Sequence, residues 1–249
     1  CREEKDAAVI ARHSVTTLLE LAEAPGLSTG IVTTARVTHA TPAVNYAHTA
    51  NRDWESDADL PAGASVADIA AQLVAAQRKY GIEVVLGGGR MPFMPATASD
   101  PEYPTQHGYR EDGRSLIDEW LAARPDSAYV WNRRQLVAID PRSTRHLLGL
   151  FEPSHMQYEA DRRAADEPSL AEMTAKAIEI LQKNRKGFYL MVEGGRIDHA
   201  HHAGNAYRAL TDTIALSDAV RAAQELTDPR DTLIIVTADH SHVFTLAGY

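Results

Sequence analysis

Between Glu193 and His202 the sequence reads Glu-Gly-Gly-Arg-Ile-Asp-His-Ala-His-His, directly after an apolar run at 188–192. Carboxylates and imidazoles packed this densely are the ligand types that borderline divalent metals select. Asp198 and His202 are four apart, so one turn of helix would aim both at the same ion. A second cluster, Asp239-His240-Ser241-His242, follows another apolar run at 233–236. A solvated polar turn with capping acids would explain either cluster alone. Two acid-and-histidine clusters, each closing a buried-strand pattern, point instead to a metal centre at the edge of a sheet. Cys1 is the only cysteine, so neither a cysteine-ligated site nor an internal disulfide is available. Ligation without thiolates fits zinc, manganese, or zinc with magnesium.

Other residues carry weaker signals. Arg52, in Asn-Arg-Asp-Trp, reads either as a surface arginine or as an anion clamp, because a guanidinium matches phosphate geometry bidentately. Gly87-Gly88-Gly89-Arg90 lacks the Gly-Lys-Ser/Thr ending of a phosphate loop and reads as a tight turn after a strand. His13, His48, His107, His146 and His155 stand apart from the clusters and are expected to be structural or solvated.

The elements that must position these groups alternate along the chain. Strands are expected at 30–34, 82–86, 129–131, 147–151, 188–192 and 232–236, nearly all apolar. Helices are expected at 13–24, from Ser65, at 115–123, from Pro168-Ser169 with Glu172 completing a capping box, and at 203–226. The 90–112 region is proline-rich and without period, so it reads as an excursion. This alternation predicts an α/β fold, a mostly parallel central sheet covered by helices on both faces in three layers. Ligands in such sheets sit off the carboxyl ends of the strands, where His39, Thr41, Glu193 and Asp239-His240 fall.

At 249 residues and a net charge of −9, the chain can bury a large core and is a poor general binder of nucleic acid, whose affinity rests on basic side chains. It contains no apolar run of about 18 residues that could span a membrane.

The motifs Val37-Thr-His39-Ala-Thr41-Pro42, Tyr46-Ala-His48, Asn51-Arg52-Asp-Trp54, Glu193 through His202 and Thr237-Ala-Asp239-His240-Ser-His242 together resemble the alkaline phosphatase family, in its animal-type form. The resemblance spans essentially the whole sequence. It implies an alkaline-phosphatase-like fold and hydrolysis of phosphate monoesters, releasing inorganic phosphate at two zinc ions and one magnesium through a phosphoserine. By position, Asp198 and His202 would bind the first zinc, and Asp239 and His240 the second. Glu193 and the Thr41 hydroxyl would bind magnesium, with His39 in its outer shell. Arg52 would hold the phosphate, with His199 close to it, and His242 would orient a zinc-binding carboxylate. A calcium site within the 90–170 excursion would use Glu102, Glu152, the Phe151 carbonyl and Glu167, which stands where the family usually has Asp.

The resemblance further implies that residues 1–249 are the central part of a single catalytic domain. The serine nucleophile, the aspartate bridging zinc and magnesium, and a third zinc histidine would lie outside it; Ser14, Thr16 and Ser241 have no context that would make them the nucleophile. It also implies a homodimer and export to the periplasm, the cell surface or the medium. The alternatives are a related phosphodiesterase or sulfatase on the same metal scaffold, or an inactive metal- or phosphate-binding fragment.

Overall fold

The computed structural model describes residues 4–243. Five strands are formed: β1 (Ser28–Arg36), β2 (Val84–Gly88), β3 (Ser127–Val130), β4 (His146–Leu150) and β5 (Phe188–Glu193). They lie in one sheet in the order β3-β4-β2-β1-β5, and every neighbouring pair is parallel. Successive residues of a strand point to opposite faces, and each face carries its own core. Ile31, Val85 and Leu148 pack with Leu19, Ile69, Leu73 and Trp120 on one side. Val32, Val84, Leu86 and Leu147 pack with Met173, Ala177, Ile180 and Ala219 on the other.

The first face is covered by α2 (Leu18–Glu23), α4 (Ile69–Tyr80) and α5 (Leu116–Ala123), with Ala43 of the short α3 (Ala40–Ala43) joining the same core; α1 (Ala7–His13) packs apart, through Ile10 against Trp54 and Val66. The second is covered by α6 (Arg133–Ala138), α7 (Leu170–Leu181) and α9 (Ala206–Leu226), with the short α8 (Arg196–His202) entering α9. The molecule is the three-layer α/β/α arrangement that the alternation predicts. At α7 the Ser169 side chain accepts from the Glu172 N–H while the Glu172 carboxylate accepts from the Ser169 N–H, a reciprocal cap in which Ser169→Ala typically costs about 1 kcal/mol.

Several expected elements differ. Of the helix expected over 13–24 only 18–23 forms, as α2, because Thr17 accepts from the Glu20 N–H and starts it there, while α1 ends at His13. Within the expected range Val15 and Leu18 are exposed, and Leu19 is buried. The helix expected from Ser65 begins only at Ile69, since Asp68 rather than Ser65 caps it, accepting from the Ala71 N–H. The helix expected over 203–226 forms as α9 and begins three residues later, because Gly204 at φ +63° separates it from α8. The short helix α6 carries no strong apolar period and was not expected.

The largest correction concerns 232–236. No strand forms there, and Leu233, Ile235 and Val236 are 82%, 76% and 63% exposed. A strand exists only through a neighbour that satisfies its backbone, and 232–236 pairs with no strand of the sheet among the described residues. The segment has the apolar composition of a buried strand, but the pairing that would bury it is not made among the described residues.

Candidate functional site

The site is strung on the carboxyl ends of β1 and β5. These two strands pair in register from Ser28 against Phe188 to Thr33 against Glu193. That register sets Thr33 beside Glu193, and the Thr33 hydroxyl donates to the Glu193 carboxylate. Burial raises the Glu193 carboxyl above its ordinary value, against the lowering effect of hydrogen bonds from Thr33 and Thr41. A half-buried carboxylate with two hydroxyls is an oxygen-only donor set of the kind magnesium takes. Thr33 escaped the sequence reading because it lies inside an apolar strand pattern, where threonine is ordinary.

Beyond β5, Gly194 and Gly195 turn the chain into α8, whose first N–H, that of Arg196, is held by the Thr34 hydroxyl. Helical spacing then sets the Nε2 atom of His202 3.5 Å from Asp198 Oδ1. The exposed stretch around 239–242 folds back onto the same oxygen: His242 Nε2 lies 2.7 Å and His240 Nε2 3.6 Å away. Burial pushes the Asp198 carboxyl up, but the His242 hydrogen bond and the nearby imidazoles outweigh it and hold the group below its ordinary value. Asp198, His202 and His242 each present a ligand atom within 4.8 Å of the others. One carboxylate ringed by imidazoles suits zinc. Asp239 lies 3.5 Å from His240 and is largely exposed.

A second cluster sits where β1 ends. The Arg52 guanidinium meets His39 Nε2 at 3.1 Å, and Arg196 Nη1 meets His199 Nδ1 at 3.1 Å. Between them stands His155, its ring centroid 5.2 Å from His39 and 4.3 Å from His199. His155 was expected to be isolated, and the structure overturns that. The 152–156 segment is stitched along β1 and the turn after β2, with Gly89 and Arg90 N–H donating to the Glu152 carbonyl and Met156 N–H to that of Thr34. A contact made across 119 residues leaves no trace in local spacing. Burial, followed by the Arg36 charge, drives the His155 ring down to about 2; burial and Arg196 take His199 to about 4; burial with Arg36 and Arg52 lowers His39. All three rings are neutral near pH 7.

In the excursion, Glu152 and Glu167 are buried and hydrogen-bonded to each other, and Glu167 also accepts the Gln157 N–H. Glu102 is turned to the Arg90 guanidinium at 2.8 Å, and Phe151 is buried beside them in sequence. Glu102, Glu152 and Glu167 do not make a three-ligand group at metal-binding distance; among the described residues only the two clusters above do. His48 pairs with Glu20 and His146 with the Ile82 carbonyl, as structural histidines do.

The family model for alkaline phosphatase matches residues 5–249. The chain is 52% identical to the tissue-nonspecific isozyme of alkaline phosphatase from Gallus gallus over 95% of this chain and 47% of that protein. It is 48% identical to the Homo sapiens isozyme over the same shares. Among solved structures, the cold-active alkaline phosphatase of the psychrophile Shewanella sp. superposes with a TM-score of 0.66 at 28% identity, over 87% of this chain and 44% of that one. The Thermus thermophilus alkaline phosphatase superposes at 0.63 with 34% identity, over 82% and 37%. The chain therefore spans about half the length of the curated relatives it matches.

Proposed function

The chain belongs to the alkaline phosphatase family, and on that premise we propose that its site hydrolyses phosphate monoesters to alcohol and inorganic phosphate using two zinc ions and one magnesium. The observation that supports this best is the meeting, at the ends of β1 and β5, of an imidazole-ringed carboxylate, a half-buried carboxylate with hydroxyl partners and arginines without carboxylate partners among the described residues. Asp198 and His202 would hold the first zinc, Asp239 and His240 the second, and Glu193 with the Thr41 hydroxyl the magnesium, His39 lying in its outer shell. His242 orients Asp198. When bound, the metals supply positive charge to the attacking and leaving oxygens of an in-line displacement.

The chain's own residues grip and orient. Arg52 holds non-bridging phosphoryl oxygens, and such fixed donors act most strongly where charge develops. Neutral His199 accepts from Arg196 at Nδ1 and so presents its Nε2–H toward the phosphate. The phosphoserine step of the family is part of the proposal, with its serine assigned to no residue of this sequence. Calcium at Glu102, the Phe151 carbonyl, Glu152 and Glu167 is supported by the buried Glu152–Glu167 pair, which has to share either a proton or a cation. We read these residues and the excursion as one catalytic domain of an exported, dimeric protein; among the described residues no helix is long and apolar enough to cross a membrane.

The full-length protein that carries these residues is expected to hydrolyse p-nitrophenyl phosphate at alkaline pH, to lose that activity to a chelator and to regain it with zinc and magnesium. His242→Ala is expected to weaken zinc binding about 10- to 100-fold, the usual effect of removing a group that orients a ligand. Metal-replete protein that leaves monoesters intact, or prefers diesters or sulfate esters, would refute the proposal.

A further inference from the structure

The imidazoles of His39, His155 and His199 each face a guanidinium, and a guanidinium can only donate. The ring nitrogen that meets it must accept, so the ring proton sits on the other nitrogen. For His39, with Nε2 on Arg52, that is Nδ1, which is buried and has no partner. For His199, with Nδ1 on Arg196, it is Nε2.

His155 has no such resolution. Its Nδ1 accepts the Arg36 backbone N–H at 3.1 Å, and its Nε2 stands 2.6 Å from Nη1 of the same Arg36. A neutral imidazole accepts at one nitrogen only, so a ring N–H is left pointing at a guanidinium N–H. Neither can retreat: the backbone N–H is fixed at the end of β1, and the guanidinium is forked onto Glu55. An oxygen with spare lone pairs would accept from both and remove the conflict.

Arg196 is a second unbalanced group. It is half-buried and stacked 3.7 Å over the Tyr158 ring, with no carboxylate partner among the described residues and with a buried Nε that makes no hydrogen bond. The three rings crowd one small volume, since a nitrogen from each lies within 4.8 Å of the others. A metal ion there would face the guanidinium charges and compete with them for the ring lone pairs. An oxyanion meets donors alone.

We propose that His155 and Arg196, with the Arg36 guanidinium, complete an oxyanion receptor beside Arg52 and His199, and that it takes the tetrahedral phosphate dianion, as the phosphoryl group of the substrate and as the inorganic phosphate released. The identity of the anion rests on the phosphomonoesterase reading; the receptor itself is built without metal.

Calorimetric titration of inorganic phosphate into the purified protein, as isolated and after chelation, tests this. Binding is expected to survive chelation and to weaken about 10-fold in His155→Phe and in Arg196→Met, the usual loss of one hydrogen bond to a charged group. His155→Phe keeps a ring in the packed segment, and the wild-type titration stands by itself should either variant fail to fold. In metal-replete enzyme both substitutions should raise the KM for p-nitrophenyl phosphate and the inhibition constant of phosphate more than they lower kcat. Loss of phosphate binding on chelation, or equal affinities in wild type and His155→Phe, overturns the receptor. Binding that survives chelation in a protein without monoesterase activity leaves the receptor standing and removes the proposed function; activity without that binding does the reverse.

Discussion

Single residues show most clearly what the sequence could and could not disclose. Asp198 and His202 were legible because helical spacing is local, and their geometry follows from one turn of α8. His155 was illegible because its neighbours are delivered by separate strands. Glu167 has a consequence that only its surroundings impose. Burial, with the Glu152 charge adding to it, pushes its carboxyl up to about 8; burial likewise takes Glu23 to about 7 and Asp212 to about 6. Such a group keeps its proton in the folded protein over a range where the unfolded chain has lost it. Folded-state pKa above unfolded pKa, for an acid, means that stability falls as pH rises from the ordinary carboxylate value to the folded one. In chelated protein each such proton contributes a slope of up to about 1.4 kcal/mol per pH unit. Glu167→Gln is therefore expected to flatten the denaturation midpoint between about pH 5 and 8, and added calcium to raise wild-type stability more at the alkaline end. Midpoint curves for wild type and Glu167→Gln that superimpose across that range would show that Glu167 carries no such proton.

At the scale of elements, the sheet was the most legible part, because buried parallel strands announce themselves as apolar runs. Boundaries moved where a side chain chose the cap, as Thr17 and Asp68 do, and 232–236 failed because composition cannot report whether a neighbour is there to pair. Gly88 shows how an element fixes the site at a distance. A Cβ there would lie 2.3 Å from the Ser154 carbonyl oxygen and 2.9 Å from the Met156 nitrogen, so the end of β2 is bare in order to let the segment carrying His155 lie against it. Gly88→Ala must displace backbone, not the tip of a flexible side chain. The expected outcome is a loss of about 1–3 kcal/mol in urea unfolding, typical of overpacking, together with weaker phosphate binding, because His155 moves with its segment. Unchanged phosphate affinity in a measurably destabilised Gly88→Ala protein would show that the segment yields without moving the ring.

Across the whole molecule, one edge of the sheet is unlike the other. β5 ends the strand order and is half-buried along its length, while Tyr207, Leu210 and Ile214 of α9 and the 233–236 stretch leave large apolar side chains in solvent. An open sheet edge and exposed apolar groups are each templates for association. Sedimentation of this chain is expected to show concentration-dependent association that Ile235→Lys reduces; identical profiles for the two would locate any association elsewhere. The in-register pairing of Thr33 with Glu193 has an evolutionary consequence. The two residues are 160 positions apart in sequence, yet their separation in space is measured by one backbone ladder. Lineages are thus free to lengthen, shorten or redecorate the intervening excursion while the ladder preserves the calibration of the candidate metal-binding end, so novelty can accumulate between the two strands without disturbing the geometry at their tips.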